Sequence, residues 1–435
     1  MKTGIDSFVS SDWPIVTLND LKSSDKHAFV GGPFGSNLTS KDYVSKPGVP
    51  VIRGTNLGGK ASRFIDRDFA YVSEMKADSL SQNTAHPGDV VFTQRGTLGQ
   101  VALIPENPNH SRYVISQSQM KLTVDRKKAC PRFIYHYYRT PLAIEVLKSR
   151  TQATGVPHIN LGILKEFPIP LPPLPEQRRI AGILDAADTI RRKRQQAIAL
   201  TEQFLRSTFL DMFGQTIASV DLIGCPEGWS DETIEGIKSD KPRSCIGGPF
   251  GSDLGRSDYV EEPGVPVIRG GNLSTDSAYM SEVDFVYVSE EKGKQLEKNA
   301  AYPGDILVSQ RGAKLAGQVA MIASDSKFKT YIVSQSQMKV TVDETRLDPI
   351  YLVYFMRSSH AVRLMERRTI STGVPHINLG ILKSFPVVVP PLKLQQKFSS
   401  IRKSQDKMLK RLTKAFDSSD NLFNSLVQRA FRGEL

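Results

Sequence analysis

The string Gly-Gly-Pro-Phe-Gly-Ser occurs at Gly31–Ser36 and again at Gly247–Ser252, 216 residues later. Pro-Gly-Val-Pro-Val-Ile-Arg-Gly recurs at the same spacing, at Pro47–Gly54 and Pro263–Gly270. So do Trp13 and Trp229, Pro-Gly-Asp at Pro87 and Pro303, and Gln-Arg-Gly at Gln94 and Gln310. Farther on the spacing becomes 218: Ser-Gln-Ser-Gln-Met-Lys begins at Ser116 and Ser334, and Thr-Gly-Val-Pro-His-Ile-Asn-Leu-Gly-Ile-Leu-Lys at Thr154 and Thr372. The second copy thus carries two extra residues just after Gln310-Arg311-Gly312. Two copies account for the 435-residue chain. A unit of that length is too long for a solenoid repeat, so the economical reading is duplication of a whole domain with its connector.

Each copy divides into two parts. The first holds short apolar or alternating runs punctuated by Gly and Pro, such as Val49 to Arg53, Val90 to Thr93 and Met120 to Val124, which predict strands. Helices are expected near Phe133 to Arg150 and Pro349 to Arg367. The prolines of Phe167–Pro173 and Phe385–Pro391, lacking N–H groups, enforce extended chain and close this part. The second part is helical. Ile180, Ile183, Ala187, Ile190, Arg194, Ala197, Thr201, Phe204 and Thr208 step by three and four, and Phe398, Ile401, Gln405, Met408, Leu412, Ala415, Ser419, Leu422 and Leu426 repeat the register. Four heptads predict two helices with a seam for packing on one another, as in a coiled coil, each about 50 Å long at 1.5 Å per residue. The expected fold class is α+β: two similar mixed α/β globular domains and two long helices, divided at 1–174, 175–214, 215–392 and 393–435.

Charge narrows the partner. The chain has 57 Lys+Arg against 45 Asp+Glu, a net +12. Residues 1–217 contribute +9 (28 basic, 19 acidic) and the remainder +3 (29 basic, 26 acidic). Two basic halves point to a polyanion, with binding that weakens as salt rises, more steeply for the N-terminal half if its extra charge faces the ligand. No apolar run approaches the roughly 20 residues of a membrane helix. Met1 to Pro14 lacks the apolar core of a signal peptide, so the expected location is cytoplasmic. Cys130, Cys225 and Cys245 show no Cys-x-x-Cys spacing and read as buried or incidental thiols.

Catalytic signatures fail on inspection. Gly54 to Lys60 has P-loop spacing but continues with Ala61, so the hydroxyl that would ligate magnesium is missing. Asp68 with Glu74-Met75-Lys76, repeated as Asp284 with Glu290-Glu291-Lys292, resembles a nuclease pattern. On a continuous strand those carboxylates would stand roughly 20 Å apart, too far to share a metal, although a sharp bend would rescue the site. None of the seven histidines forms a zinc-type cluster. The methyltransferase Asp/Asn-Pro-Pro-aromatic motif is absent.

Polar loops are the remaining candidates. Strand alternation puts Gln117, Gln119, Lys121 and Thr123 on one face, with Gln335, Gln337, Lys339 and Thr341 as counterparts. Gln pairs bidentately with adenine and Lys meets phosphate or guanine, so this is either a DNA-reading face or a plain solvated one. Gln94, Arg95 and Thr97, with Gln310, Arg311 and Lys314, are stronger candidates, because their glycines permit close backbone approach and Arg beside Gln supplies two groove-reading groups; the alternative is a glycine-rich hairpin whose Arg pairs with a carboxylate. Arg53 and Arg269 read as phosphate clamps or internal ion pairs, and Asn56 and Asn272 as base contacts or turn formers. His158, Asn160, His376 and Asn378 read as turn-fixing residues.

The order of these motifs resembles a known family. Gly-x-Pro-Phe-Gly-Ser, Val-Ile-Arg-Gly-x-Asn-Leu, Gln-Arg-Gly, and the Pro-Pro-Leu-x-x-Gln lead into a long helix (Pro172–Gln177 and Pro390–Gln395) each occur twice, followed by Ala430–Leu435 at the end. Together they resemble specificity subunits of type I restriction-modification systems, over essentially the whole chain. The resemblance implies two target recognition domains, each reading half of a bipartite double-stranded DNA site. It also implies two antiparallel helices that set the spacer and dock two methyltransferase subunits, to which a restriction subunit can be added. S-adenosylmethionine, ATP and Mg would be used by those partners, with no cofactor in this chain. A duplicated unit with a self-complementary helix can place its domains about a pseudo-twofold axis, giving inverted half-sites about one helical turn apart. The two copies share most landmark strings, so the half-sites are expected to be related. The rival readings are a metal-dependent endonuclease and a stand-alone DNA-binding regulator.

Overall fold

The computed structural model describes residues 12–45, 48–59, 62–95, 97, 99–151, 158–261, 264–273, 277–312, 318–370 and 374–435. The chain forms two compact units, Met1–Ala197 with Leu412–Leu435, and Ile198–Arg411.

In the first unit an antiparallel sheet runs in the order Phe29–Gly31, Gln119–Leu122, Val90–Thr93, Val101–Leu103. A second sheet runs Tyr43–Val44, Ala70–Val72, Val49–Ile52, Tyr113–Ile115, Thr84–Ala85, with Val49–Ile52 parallel to Tyr113–Ile115. Sequence alternation here separates two buried faces. Val91 and Ala102 of the first sheet pack with Ile52 and Ile115 of the second. Val90, Phe92, Met120 and Leu122 instead meet the helix Pro131–Tyr138. Strands covered on both faces read as near-continuous apolar runs, as Val90-Val91-Phe92 does.

The second unit repeats this plan. Its sheets are Cys245–Gly247, Gln337–Val340, Ile306–Ser309, Val319–Met321, and Tyr259–Val260, Val286–Val288, Val265–Ile268, Tyr331–Val333, Ala300–Ala301. The helical stretch expected near Phe133 to Arg150 is two helices, Pro131–Tyr138 and Pro141–Arg150. Thr140 caps the second by accepting from the Ala143 N–H, and Pro141 occupies its first turn. Ser358 starts Ser359–Arg368 in the same way. All three cysteines are free, and burial pushes the Cys245 thiol up to about 11.

Two long helices complete the units, Leu174–Phe209, which continues through a π-turn at Leu210–Gly214 into Gln215–Ile223, and Leu392–Phe431. Their starts are pinned by the glutamine of Pro-Pro-Leu-x-x-Gln. Gln177 Nε2 donates to the Pro172 and Lys128 carbonyls, while its Oε1 accepts from the Cys130 N–H. Gln395 does the same with Pro390, Arg346 and Asp348. The helices run antiparallel within each unit. In the first, Arg179 meets the Leu435 carbonyl, Arg191 meets Asp420 and Arg194 meets Ser419 and Ala415. In the second, Glu202 lies by Arg402 and Phe209 by Phe398. Phe431 packs on Phe133 and Tyr137 at 5.4 and 5.2 Å, and Phe213 on Tyr351 at 5.1 Å, so helix ends complete both aromatic cores.

The seam departs from the expected heptads. Ile190, Phe204, Met408 and Leu422 are about half exposed. From Asp188 onward the buried stripe of the first helix lies one position later, through Asp188, Arg191, Glu202, Leu205 and Phe209. A hydrophobic count misses it because several of its members are charged. Arg191 bonds Asp188 at 2.7 Å and Asp420 at 2.9 Å, with its guanidinium 4.7 Å from the Phe423 ring centre. Arg402, 1% exposed, faces Asp406 at 3.1 Å and Glu202 at 3.5 Å, with its guanidinium 5.1 Å from the Tyr279 ring centre. Burying a charge is tolerable when it is paired in this manner.

Burial alone would raise the Asp188 pKa, but the Arg191 hydrogen bond and the charges of Arg192 and Arg191 prevail and hold it below the usual carboxylate range. A carboxylate depressed on folding stabilises fully above its unfolded value, about pH 4, and that contribution is lost as pH falls through the lower folded value. Asp188→Asn removes the carboxylate of Arg192 and leaves Arg191 with Asp420 alone, and should cost about 3 kcal/mol at pH 7. Urea unfolding from pH 7 down to pH 3 should show the gap to the unmodified protein narrowing below about pH 4; a gap independent of pH would contradict the assignment.

Candidate nucleic-acid interface

Strand register brings one set of loops together in each unit. Ile52 pairs with Ile115 in the parallel ladder, so the chain leaves both strands at the same end, into Arg53 and Ser116. In the antiparallel sheet Gly31 faces Met120 and Thr93 faces Gln119. The turns after Gly31 and Thr93 therefore emerge beside the turn before Gln119. Arg95 bridges to His158, and the Ile159 N–H donates to the Gln94 carbonyl at 3.0 Å. The crossing of Gly32 over Ser116 is so close that a Cβ on Gly32 would lie 2.0 Å from the Ser116 oxygen; at Gly248 and Ser334 the value is 1.9 Å. Only glycine fits there. Gln100, accepting from Thr93 Oγ1 and donating to the Gly54 and Leu57 carbonyls, ties two of the loops together.

The candidate side chains separate into outward and inward groups. Arg53, Arg95 and Thr97 are exposed and Gln94 is half-buried; in the second unit Arg269 and Arg311 are exposed and Gln310 half-buried. Arg53, Arg95 and Arg311 form no ion pair among the described residues. Arg269 donates to the Asp284 carbonyl at 3.2 Å. Lys314 lies outside the described residues.

Six candidates are corrected to structural roles. Gln119 and Lys121, with Gln337 and Lys339, are buried, because the face they share is covered by the second sheet rather than by solvent. Lys121 Nζ is 3.4 Å from Asp89, and Lys339 Nζ 2.8 Å from Asp305. Gln119 and Gln337 accept from Ser116 and Ser334. Asn56 accepts from the Arg53 N–H and donates to the Ile65 and Arg67 carbonyls, and Asn272 repeats this with Arg269, Ser281 and Val283. Each asparagine folds a loop inward with both amide hydrogens engaged, and is buried.

Gln117 and Gln335 are outer brackets: their side-chain amides donate to the carbonyls of Gly35 and Leu38, and of Gly251 and Leu254. Asn160 and Asn378 cap short helices by accepting from Ile163 and Ile381, as turn-fixing residues would. Three of the nuclease-like residues have partners outside that pattern. Glu74 pairs with Arg112 and Lys76 with Asp42, and Lys292 likewise with Asp258.

Two features escape the reading of the sequence. Phe34 and Phe250, inside the repeated Gly-Gly-Pro-Phe-Gly-Ser, are 91% and 90% exposed. Their signal was an aromatic set among Gly, Pro and Ser in a string that occurs twice. The other is a cleft of about 590 Å³ in the first unit, whose lining includes Arg63, Arg126, Arg132, Arg178 and Arg192. The repeat counterparts are Tyr279, Glu344, Ile350, Gln396 and Lys410. The cleft also includes Leu103, which pairs with Val90, at the end of those strands remote from the loops above. Much of the extra positive charge of the first half therefore lies away from the converging loops.

The sequence model of the type I restriction modification DNA specificity domain matches residues 11–200 and 254–416. The type I restriction enzyme MjaVIII specificity subunit of Methanocaldococcus jannaschii is 22% identical over 68% of this chain and 68% of its own. The EcoBI specificity subunit of Escherichia coli is 22% identical over 74% and 69%. The crystal structure of the type-I restriction-modification system S subunit from M. genitalium shares the fold, with a TM-score of 0.54 at 16% identity over 97% of this chain and 96% of that one.

The outward and inward groups differ in what their loss should do. Arg95→Ala should leave thermal stability unchanged while lowering the slope of log binding constant against log salt by about 1 if it meets a phosphate. Lys121→Met, which strands buried Asp89, should cost about 3–5 kcal/mol of stability and leave that slope alone. Thermal melts and DNA titrations at several salt concentrations distinguish them; an altered slope for Lys121→Met would overturn its internal role.

Proposed function

The chain belongs to the type I restriction-modification DNA specificity family and is a DNA-recognition component that carries no catalysis of its own, and from that premise we propose that its two repeats read the two halves of a bipartite site. The observation that carries this reading is the double construction of one loop cluster, with Arg53 and Arg95 outward in one unit and Arg269 and Arg311 outward in the other. In this reading residues 1–174 and 215–392 are the recognition domains. Arginine is suited to guanine edges and phosphates, and glutamine at 94 and 310 to adenine. The helical segments 175–214 and 393–435 set the spacer between half-sites and dock two methyltransferase subunits, with a restriction subunit as a further partner. S-adenosylmethionine, ATP and Mg serve those partners, in the cytoplasm. Among the described residues no helix is long and apolar enough to cross a membrane.

Shared landmark strings imply shared chemistry at the two loop clusters, so the half-sites are related and inverted, about one turn of DNA apart. The test is co-purification with the methyltransferase subunits of the same host, followed by methyl transfer from S-adenosylmethionine to host DNA and mapping of the modified bases. Transfer at a defined two-part site should require this chain. Equal site-specific transfer without it would sink the proposal, and unrelated halves would sink the interrupted palindrome. Tight, specific binding without partners would favour a stand-alone regulator, and magnesium-dependent cutting by the chain alone a nuclease.

A further inference from the structure

The Gly-Gly-Pro-Phe-Gly-Ser loop holds its phenylalanine out of the protein by construction. Gly32 permits the close crossing over Ser116, Pro33 is buried, and Gly35 adopts a left-handed φ of 55° that reverses the chain immediately after Phe34. Gln117 Nε2 then clamps the far side, donating to the Gly35 carbonyl at 2.7 Å and the Leu38 carbonyl at 2.8 Å, and Leu38 is buried. The second unit repeats every part: Gly248 against Ser334, buried Pro249, Gly251 at φ 54°, Gln335 on Gly251 and Leu254, and Leu254 buried. A loop braced in the same way in both units leaves an aromatic about 90% exposed that gains no folding energy, and this repetition points to a ring held for a partner.

The surroundings say which kind. A protein-docking patch presents contiguous apolar surface. Here the flanking Ser36, Asn37, Ser252 and Asp253 are polar and exposed. Arg53 leaves the adjoining strand end in one unit. In the other, Arg256 and Arg269 line a depression of about 490 Å³ together with Gly251 and Gln335. A lone aromatic in a polar rim that carries arginines, with Asp253 of the second unit paired to Lys298, suits a polyanion with flat apolar rings inside it: phosphates meet the arginines, and the phenyl wedges against a base step.

We propose that Phe34 and Phe250 are DNA wedges, each pressing into a base step of the half-site that its unit reads. The contact is tolerant of sequence in its chemistry, since every base offers a π-face, and selective through how easily the step unstacks. This rests on the DNA-reading assignment above.

The test uses the complex with its methyltransferase subunits and a duplex bearing the mapped site, with 2-aminopurine placed at one position at a time. The unmodified complex should raise fluorescence at one step in each half-site. Phe34→Ala should abolish the rise in one half-site only, and Phe250→Ala in the other, each weakening binding about tenfold with the salt slope unchanged. Phe34→Trp should keep the affinity and the response in its own half-site. Melting temperatures should not move, because neither ring is packed. Unchanged fluorescence and affinity in the alanine variants would overturn the proposal. So would variants that lose the methyltransferase subunits on purification, which would make the aromatic tips a protein-docking device. Failure of the underlying assignment looks different: the unmodified complex would bind a scrambled duplex as tightly as its own site, and both proposals would fall together.

Discussion

A buried arginine held between two carboxylates sets the relation of the long helices to each other. Arg191 spans Asp188 on its own helix and Asp420 on the other. Such a cation is costly unless each partner stands in place, so it tolerates one register and penalises slippage more sharply than an apolar seam would. Arg402 performs the same task with Asp406 and Glu202. Asp406 and Glu202 are the repeat counterparts of Asp188 and Asp420, yet Arg402 corresponds to Leu184 rather than to Arg191. The carboxylates have kept their places while the arginine arrives from the opposite side along the helix. Once this register is set, Phe431 reaches Phe133 and Tyr137, Phe213 reaches Tyr351, and the sheets lie on completed helical layers.

The loop cluster depends on polar groups in the interior as much as on those outside. Lys121 with Asp89, Asn56 across its loop, and Gln100 between loops are each satisfied internally and hold the backbone where Arg53 and Arg95 can project. All three arrangements have counterparts in the second unit: Lys339 with Asp305, Asn272, and Gln318 accepting from Ser309. Their repetition reflects a shared scaffold. What remains exposed in each loop cluster is a small outward set of arginines and polar residues.

The two units differ at a basic cleft. The arginine cleft of the first has Tyr279, Glu344, Ile350, Gln396 and Lys410 in the corresponding places of the second. Several of its arginines are already engaged, Arg63 and Arg132 with Asp185 and Arg192 with Asp188. Asp185 titrates below the usual range although burial opposes this, because the His136 hydrogen bond and the Arg63 charge outweigh burial. The extra charge of the first half is therefore partly an internal tie between its domain and its helix, and net charge by halves overstates what faces a ligand.

The sequence by itself determined the duplication, the α+β class, the paired helices and the outward loops, because each leaves a one-dimensional trace: a fixed spacing, a period, or glycines clustered beside Arg and Gln. It also held the family resemblance. Tertiary structure decided the rest. Strand alternation says that Gln119 and Lys121 share a face but not what covers it, and a second sheet covers it here. Helical periodicity finds a seam through its apolar members, so a stripe carrying Asp188, Arg191 and Glu202 was displaced by one position. Phe34 was visible as a letter in a repeated string, yet exposure belongs to the folded loop. In each case the deciding fact was which long-range partner removes a group from water, and no local pattern encodes that.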